Sequence, residues 1–221
     1  MWSRVRGLLV AGGVLAAVLL TAACHVTTAA APAADRSSAA AYSASSGPVV
    51  ALGDSYTAGG LLPLDPKATP SGCLRSTKAY PVLVAGALGA SLVDVACASA
   101  GVKNMTAAQK TYVGTNPPQL GALAADDRIV LLTLGGDDVG FLNVLKECVL
   151  LSFTNPWGSP CRAHYTGGGT DQLAASVATE APKVSQVLAA IAARAPHARI
   201  VVVGYPDMFP SSGGCWPGVP I

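Results

Sequence analysis

Two runs of the chain read as strands buried on both faces, each ending in small and polar residues. Residues 49–52 (Val-Val-Ala-Leu) lead straight into Gly53-Asp54-Ser55-Tyr56, and residues 128–134 lead into Gly135-Gly136-Asp137-Asp138. Continuous β-branched and aliphatic residues mark strands of a parallel sheet covered by helices. Residues 91–97 and 198–203 read as two further strands. Between these runs the period becomes helical. Residues 79–88 place Tyr80, Leu83, Val84 and Leu88 on one face, with Pro81 in the first turn. Residues 139–151 read as a second helix. Residues 171–193 read as a long amphipathic one striped by Leu173, Val177, Val184, Leu188 and Ile191, which Pro182 is expected to kink or divide. A Pro- and Gly-rich loop covers residues 59–72. Strands alternating with helices predict an α/β fold, a parallel sheet with helices on both faces. Such sheets place their chemistry at the carboxyl ends of strands, so the two strand endings point to one shared crevice.

The 221 residues suffice for one such domain, preceded by segments of different character. Arg4 and Arg6 precede an uncharged stretch from Gly7 to Leu20 rich in Leu, Val, Ala and Gly. A basic start before a short apolar run predicts an export signal over residues 1–24. A membrane-spanning anchor is the alternative, disfavoured because a span needs ~20 strongly apolar residues. Leu20-Thr21-Ala22-Ala23-Cys24 resembles a lipoprotein cleavage box. Either Cys24 becomes a lipidated N-terminus that attaches the protein to the membrane, or cleavage nearby releases it. Residues 25–47, almost all small, are expected to form a disordered linker. In residues 48–221 the acids and bases balance, and no basic tract occurs, which argues against nucleic acid as a partner.

Five cysteines follow Cys24: Cys73, Cys97, Cys148, Cys161 and Cys215. An exported chain usually pairs its cysteines. Cys73 lies just before a predicted helix and Cys97 just after a predicted strand. Cys148 and Cys161 bracket a loop containing Asn155-Pro156 and Gly158-Ser159-Pro160, which a local bridge closes easily. Cys215 has no partner. Either a missing C-terminal segment holds it, or the thiol is free or intermolecular. No C-x-x-C pattern suggests zinc.

Gly53-Asp54-Ser55, Gly135-Gly136-Asp137-Asp138 and Gly204-Tyr205-Pro206 together resemble the blocks of the SGNH (GDSL) esterases and lipases, in particular their secreted, disulfide-bridged actinobacterial branch. The resemblance covers residues 48–221. It implies a flavodoxin-like three-layer α/β/α fold and a serine hydrolase whose diagnostic residues are a serine, a glycine, an asparagine and a histidine. Ser55 matches the serine. A Gly-x-Ser-x-Gly elbow is absent, which disfavours the ordinary α/β-hydrolase fold. Ser99 stands where the family's glycine belongs, unless Gly101 shifts the alignment by two. The group required there is a backbone N–H, which Ser99 retains unless the position needs positive φ. Asp137 stands where the family's asparagine donates to the oxyanion. An ionised aspartate only accepts, so this substitution is costly unless Asp138 beside it keeps Asp137 neutral. Asp54, Gly101 and Asp138 are supporting candidates, and the expected disulfides are Cys73–Cys97 and Cys148–Cys161. The family's late Asp-x-x-His block is absent, so the chain is expected to lack its last strand and helix. His25 falls in the linker, His164 in the loop after Cys161, and His197 at the amino end of the last strand, away from Ser55. Trp157 and Trp216 are candidates to line an acyl pocket or to pack on a bridge; Phe141 and Leu142 are expected in the core.

The reading that follows is a secreted or surface-anchored, monomeric serine hydrolase, impaired in this chain, that cleaves acyl esters or lipids without a cofactor. Acetylated glycans are the second substrate class. The alternatives are an inactive surface module that binds an ester or glycan, and, more remotely, a Mg²⁺ site built from Asp54, Asp137 and Asp138.

Overall fold

In the computed structural model residues 47–207 are described. In chain order the elements are β1 (Val49–Gly53), α1 (Ser55–Ala58), α2 (Tyr80–Leu88), β2 (Leu92–Asp94), β3 (Gln109–Lys110), β4 (Thr115–Asn116), β5 (Ile129–Thr133), α3 (Phe141–Ser152), α4 (Pro160–Thr166), α5 (Gln172–Arg194) and β6 (Arg199–Val202). Short 3-10 turns lie at Ser71–Cys73, Val102–Met105 and Gln119–Ala122.

The continuous apolar runs become the centre of a parallel sheet ordered β2-β1-β5-β6. Every residue of β1 and β5 is buried, as strands covered on both sides must be. Successive side chains point to opposite faces. Val50, Leu52, Val130 and Leu132 therefore pack on Val187 and Ile191 of α5, while Val49, Ile129 and Leu131 pack on Ala85 of α2. This is the expected three-layer α/β/α arrangement. Each fully buried Leu or Val contributes roughly 1.5–3 kcal/mol. The β1–β2 connection and the long return to β5 place β2 and β5 on opposite sides of β1, so the switch point of the sheet lies between β1 and β5 at their carboxyl ends. Gly53 pairs with Thr133 there, at the last step of the register.

Several expectations need correction. The second strand ends at Asp94 instead of Cys97. The Asp94 carboxylate accepts from Ala96 N–H at 3.0 Å, and Arg75 Nε donates to Ala96 C=O at 2.7 Å, which turns the chain out of the ladder. Arg75 also donates from Nη1 to Thr69 C=O and from Nη2 to Asn116 Oδ1, so one buried guanidinium ties three loops together. Pro182 does not divide the long helix, which runs unbroken from Gln172 with Asp171 as its N-cap. Its buried residues are Val187 and Ile191, whereas Val177 is exposed, and on α2 Leu83 is exposed while Ala85 faces the sheet. The segment after Cys161 is helix α4 rather than loop, and it carries His164. Phe141 and Leu142 open α3 at the surface, not in the core, and Trp157 is 85% exposed, so it packs against no bridge. No helix among the described residues is long and apolar enough to cross a membrane. Cys24, His25, Cys215, Trp216 and the segments proposed as signal and linker up to residue 46 lie outside the described residues.

The bridges Cys73–Cys97 and Cys148–Cys161 are both present. Cys73 and Cys97 are fully buried beside Ala100 and anchor the segment leaving β2 onto the Ser71–Cys73 turn. The bridge closes a loop of 24 residues, and removing a constraint of that size from the unfolded chain costs about 3 kcal/mol. Replacing both residues by alanine is expected to lower the urea unfolding free energy by that amount; an unchanged midpoint would contradict the role assigned to the bridge.

Candidate active site

Gly53 closes β1 where no side chain fits. Its φ is +129°, and a Cβ placed there would stand 2.1 Å from the Thr133 carbonyl oxygen. Only glycine adopts this backbone while pressed against the neighbouring strand. The peptide groups around it are held from three sides. Gln119, fully buried, accepts from Gly53 N–H at 2.7 Å and donates to Gly53 C=O at 3.0 Å. Cys97 N–H donates to the same carbonyl at 3.0 Å, and Asp54 N–H donates to Thr133 C=O at 3.1 Å. The chain then turns into α1. Asp54 caps that helix by accepting from Tyr56 N–H at 2.9 Å. Ser55, first in the helix, is exposed. Its hydroxyl and its backbone N–H have no hydrogen-bond partner among the described residues.

The Cys97 bond brings a second turn alongside. Ala98 N–H donates to Cys73 C=O, Ala100 N–H to Cys97 C=O, and Gln109 Nε2 to Ala98 C=O at 2.7 Å. The turn passes through Ser99 with φ +63°, the left-handed region that favours glycine. Ser99 is exposed, and its N–H is unpaired among the described residues. Gly101 is no substitute for it: its N–H is taken by Asn104 Oδ1 at 3.1 Å. Of the two alignments left open by the sequence, Ser99 is therefore the one that presents a free backbone donor.

The third turn follows β5. Asp138 does not face the crevice freely; both its carboxylate oxygens accept from Val102 N–H, at 3.0 and 3.1 Å. That bond joins the third turn to the Ser99 turn. Asp137 is half-buried, and its side chain has no hydrogen-bond partner among the described residues. Burial, then Asp54 and then Asp138 push its carboxyl up to about 6. The sequence reading allowed for a raised carboxyl through Asp138 only as the lesser outcome; burial and Asp54 are the larger causes.

Behind these turns lies a polar cluster. Thr57 Oγ1 accepts from Thr133 N–H at 3.2 Å, the Tyr80 hydroxyl lies 3.1 Å from Thr57 Oγ1 and 3.3 Å from Thr133 Oγ1, and Thr133 Oγ1 donates to Val203 C=O at 2.9 Å. Tyr205 crosses the front of it. Its hydroxyl donates to Asp54 Oδ2 and accepts from Gly136 N–H at 2.8 Å. Burial raises the Asp54 carboxyl, against the lowering effect of the bonds from Tyr205 and Tyr56 N–H. Burial and the facing Asp54 carboxylate hold the Tyr205 phenol well above its ordinary value, so it remains a donor.

Gln119 and Gln109 escaped the sequence reading, and Tyr80 entered it only as a residue of the apolar helix face, because their bonds to other segments of the chain leave no periodic trace. Tyr205 stood in a recognised block without an assigned role. His197 precedes β6 at the amino edge of the sheet, opposite Ser55, and the exposed His164 packs edge-on against Tyr165. Neither makes a hydrogen bond to Ser55. Among the described residues no group of three or more His, Cys, Asp or Glu side chains is arranged to hold a metal ion.

The sequence model of the GDSL-like Lipase/Acylhydrolase family matches residues 51–218. Lipase 2 of Streptomyces coelicolor is 40% identical over 166 residues, which cover 74% of this chain and 54% of that protein. A phospholipase A1 from Streptomyces albidoflavus NA297 superposes with a TM-score of 0.63 at 33% identity, covering 79% of this chain and 66% of the other. An extracellular lipase from Streptomyces rimosus superposes with a TM-score of 0.60 at 30% identity and the same two coverages. The chain spans about half the length of the curated relatives it matches.

The left-handed serine yields a direct test. Ser99→Gly removes a conformational cost of ~1 kcal/mol and leaves the backbone donor in place. Thermal unfolding is expected to shift upward by a few degrees; a downward shift would show that the Ser99 side chain stabilises the turn.

Proposed function

We propose, for a chain that belongs to the GDSL-like lipase/acylhydrolase family, that it hydrolyses carboxylic esters of the lipid class through an acyl intermediate on Ser55. One observation carries the reading: an exposed serine hydroxyl at the switch point of a parallel sheet, together with two backbone N–H groups, of Ser55 and of Ser99 on the turn that Cys97 ties to Gly53, that bond to nothing else described. Donors held in place before the reaction are what a developing oxyanion requires. Ser55 Oγ attacks the acyl carbon and gives its proton to a base. The carbonyl oxygen takes the negative charge and rests on the two N–H groups. The alcohol leaves with a proton returned by the same base, and water then cleaves the acyl-serine to the carboxylic acid. The base is expected from outside residues 47–207.

Leu61, Leu62 and Leu64, exposed on the loop that leaves α1, supply apolar surface suited to an acyl chain. The similarity to lipases and to a phospholipase A1 supports an acyl ester of a lipid as the substrate. The charged start and apolar run of residues 1–24, together with the extracellular relative from Streptomyces rimosus, support export, with residues 25–47 as a linker and Cys24 as the candidate point of attachment. We assign the catalytic domain to residues 48–221 and expect it to act as a monomer.

Asp137 weakens this site. Ionised, it places negative charge where more develops and offers no donor. A carboxyl raised to about 6 is neutral and able to donate below that pH, and ionised above it. Activity near neutrality is therefore low. A reading without turnover rests on the same residue, and one substitution separates the two. Asp137→Asn supplies the missing donor at every pH, a change on the order of 10² in rate. With a p-nitrophenyl acyl ester, the rate of Asp137→Asn relative to the parent chain is expected to grow as pH rises from about 5 to about 8. Ser55→Ala is expected to abolish turnover in both backgrounds. A ratio independent of pH would remove Asp137 from the oxyanion site, and turnover surviving Ser55→Ala would remove the hydrolase assignment.

A further inference from the structure

The third block, Gly204-Tyr205-Pro206, has no part in the reaction as written, yet Tyr205 touches two of the three turns that form the site. Its ring is partly exposed and lies 5.8 Å, centroid to centroid, from the ring of Tyr56, the residue after Ser55. Its hydroxyl points inward to the Asp54 carboxylate and the Gly136 N–H. Both contacts belong to residues adjacent to the reacting groups: Asp54 precedes Ser55, and Gly136 precedes Asp137. The approach is possible because residue 136 is glycine. A Cβ there would stand 2.8 Å from the Tyr205 hydroxyl and 2.9 Å from its Cζ. The Gly-Gly pair thus contains one residue whose missing side chain makes room for a tyrosine 69 positions later.

We propose that Tyr205 is a positioning residue for acyl transfer: its hydroxyl, accepting from Gly136 N–H and donating to Asp54, holds the turn that carries residue 137 at a set distance from the turn that carries Ser55. The inference rests on the hydrolase reading and adds to it. The ends of β1 and β5 are already joined by backbone bonds, but the Gly135–Asp138 turn projects beyond them. Asp138 ties that turn to the Ser99 side through Val102 N–H. Tyr205 supplies the matching tie to the Ser55 side. Without it the Gly136 N–H loses its acceptor and Asp54 Oδ2 its donor, and the turn is free to move relative to the nucleophile. Displacements of about 1 Å at reacting groups cost up to ~10² in rate.

Tyr205→Phe removes only the hydroxyl and keeps the ring against Tyr56. The probe is an alkyl fluorophosphonate, whose phosphorus bonds to Ser55 Oγ as fluoride leaves and the serine proton passes to solvent or base. The maximal labelling rate constant is expected to fall about tenfold, with the half-saturating probe concentration within about twofold, while the melting temperature moves by no more than a few degrees. Asp54→Asn retains the helix cap but presents an N–H to the hydroxyl in place of a lone pair. It is expected to cause a similar loss, and the double variant no more than either single one. Should Tyr205→Phe fail to fold, Asp54→Asn carries the same test. If the parent chain labels and both variants label at its rate, or if only the half-saturating concentration changes, the positioning role is overturned while the hydrolase reading stands. If the parent chain itself never labels at Ser55, both fall.

Discussion

The close approach of β1 to β5 at Gly53 constrains everything at the site. The strand must end with its backbone pressed against Thr133, at a φ that other residues avoid, and with both its peptide groups already bonded. Gln119 makes this tolerable, since its carboxamide satisfies a donor and an acceptor on the same residue in a dry interior. From that fixed point the chain has one short course: Asp54 caps the next turn, and Ser55 emerges at the surface. The Ser99 turn takes its position from the same residue, through the bond from Cys97 N–H to Gly53 C=O.

Around this point the protein keeps polar groups buried, each supplied with partners. Thr57, Tyr80 and Thr133 exchange hydrogen bonds beneath the nucleophile turn, and Asp54 is buried with two donors. A half-satisfied network of this kind would cost more than an apolar core. There are two exceptions among the described residues: Gln109 Oε1, buried at the Ser99 turn without a partner, and Asp137, half-buried, without a hydrogen-bond partner and close to two other carboxylates. On the proposed mechanism, the same features that raise the pKa of Asp137 make it a poor neighbour for a negative intermediate. The fold thus presents an exposed serine, two backbone N–H groups without partners among the described residues, and one half-buried carboxylate on the three turns at the ends of the central strands.

The sheet was legible in the sequence because strands covered on both faces leave uninterrupted apolar runs, and residues 49–52 and 129–132 are such runs. The short β2 was read too long: its length is decided by Arg75 and Asp94, whose bonds to Ala96 no pattern reports. Helix α4 was read as a loop, and the three longer helices were placed almost correctly, but their faces were not. Leu83 and Val177 fit the apolar stripe and yet point to solvent, since the small residues Ala85 and Val187 are the ones the sheet reaches. α1 has four residues, too few for a periodic signal. The crevice was foreseeable from two strand endings; the choice between Ser99 and Gly101 was not, because it depends on which N–H a neighbouring asparagine occupies.

The central claim is that Ser55 itself becomes acylated. Rapid acid quenching of the full chain after mixing with an activated acyl ester at about pH 5.5, followed by peptide mapping by mass spectrometry, reads this directly. The account predicts one acyl group, on the peptide containing Ser55, lost on further incubation before the quench. An acyl group on another residue, or none in a chain that still consumes the ester, would contradict it.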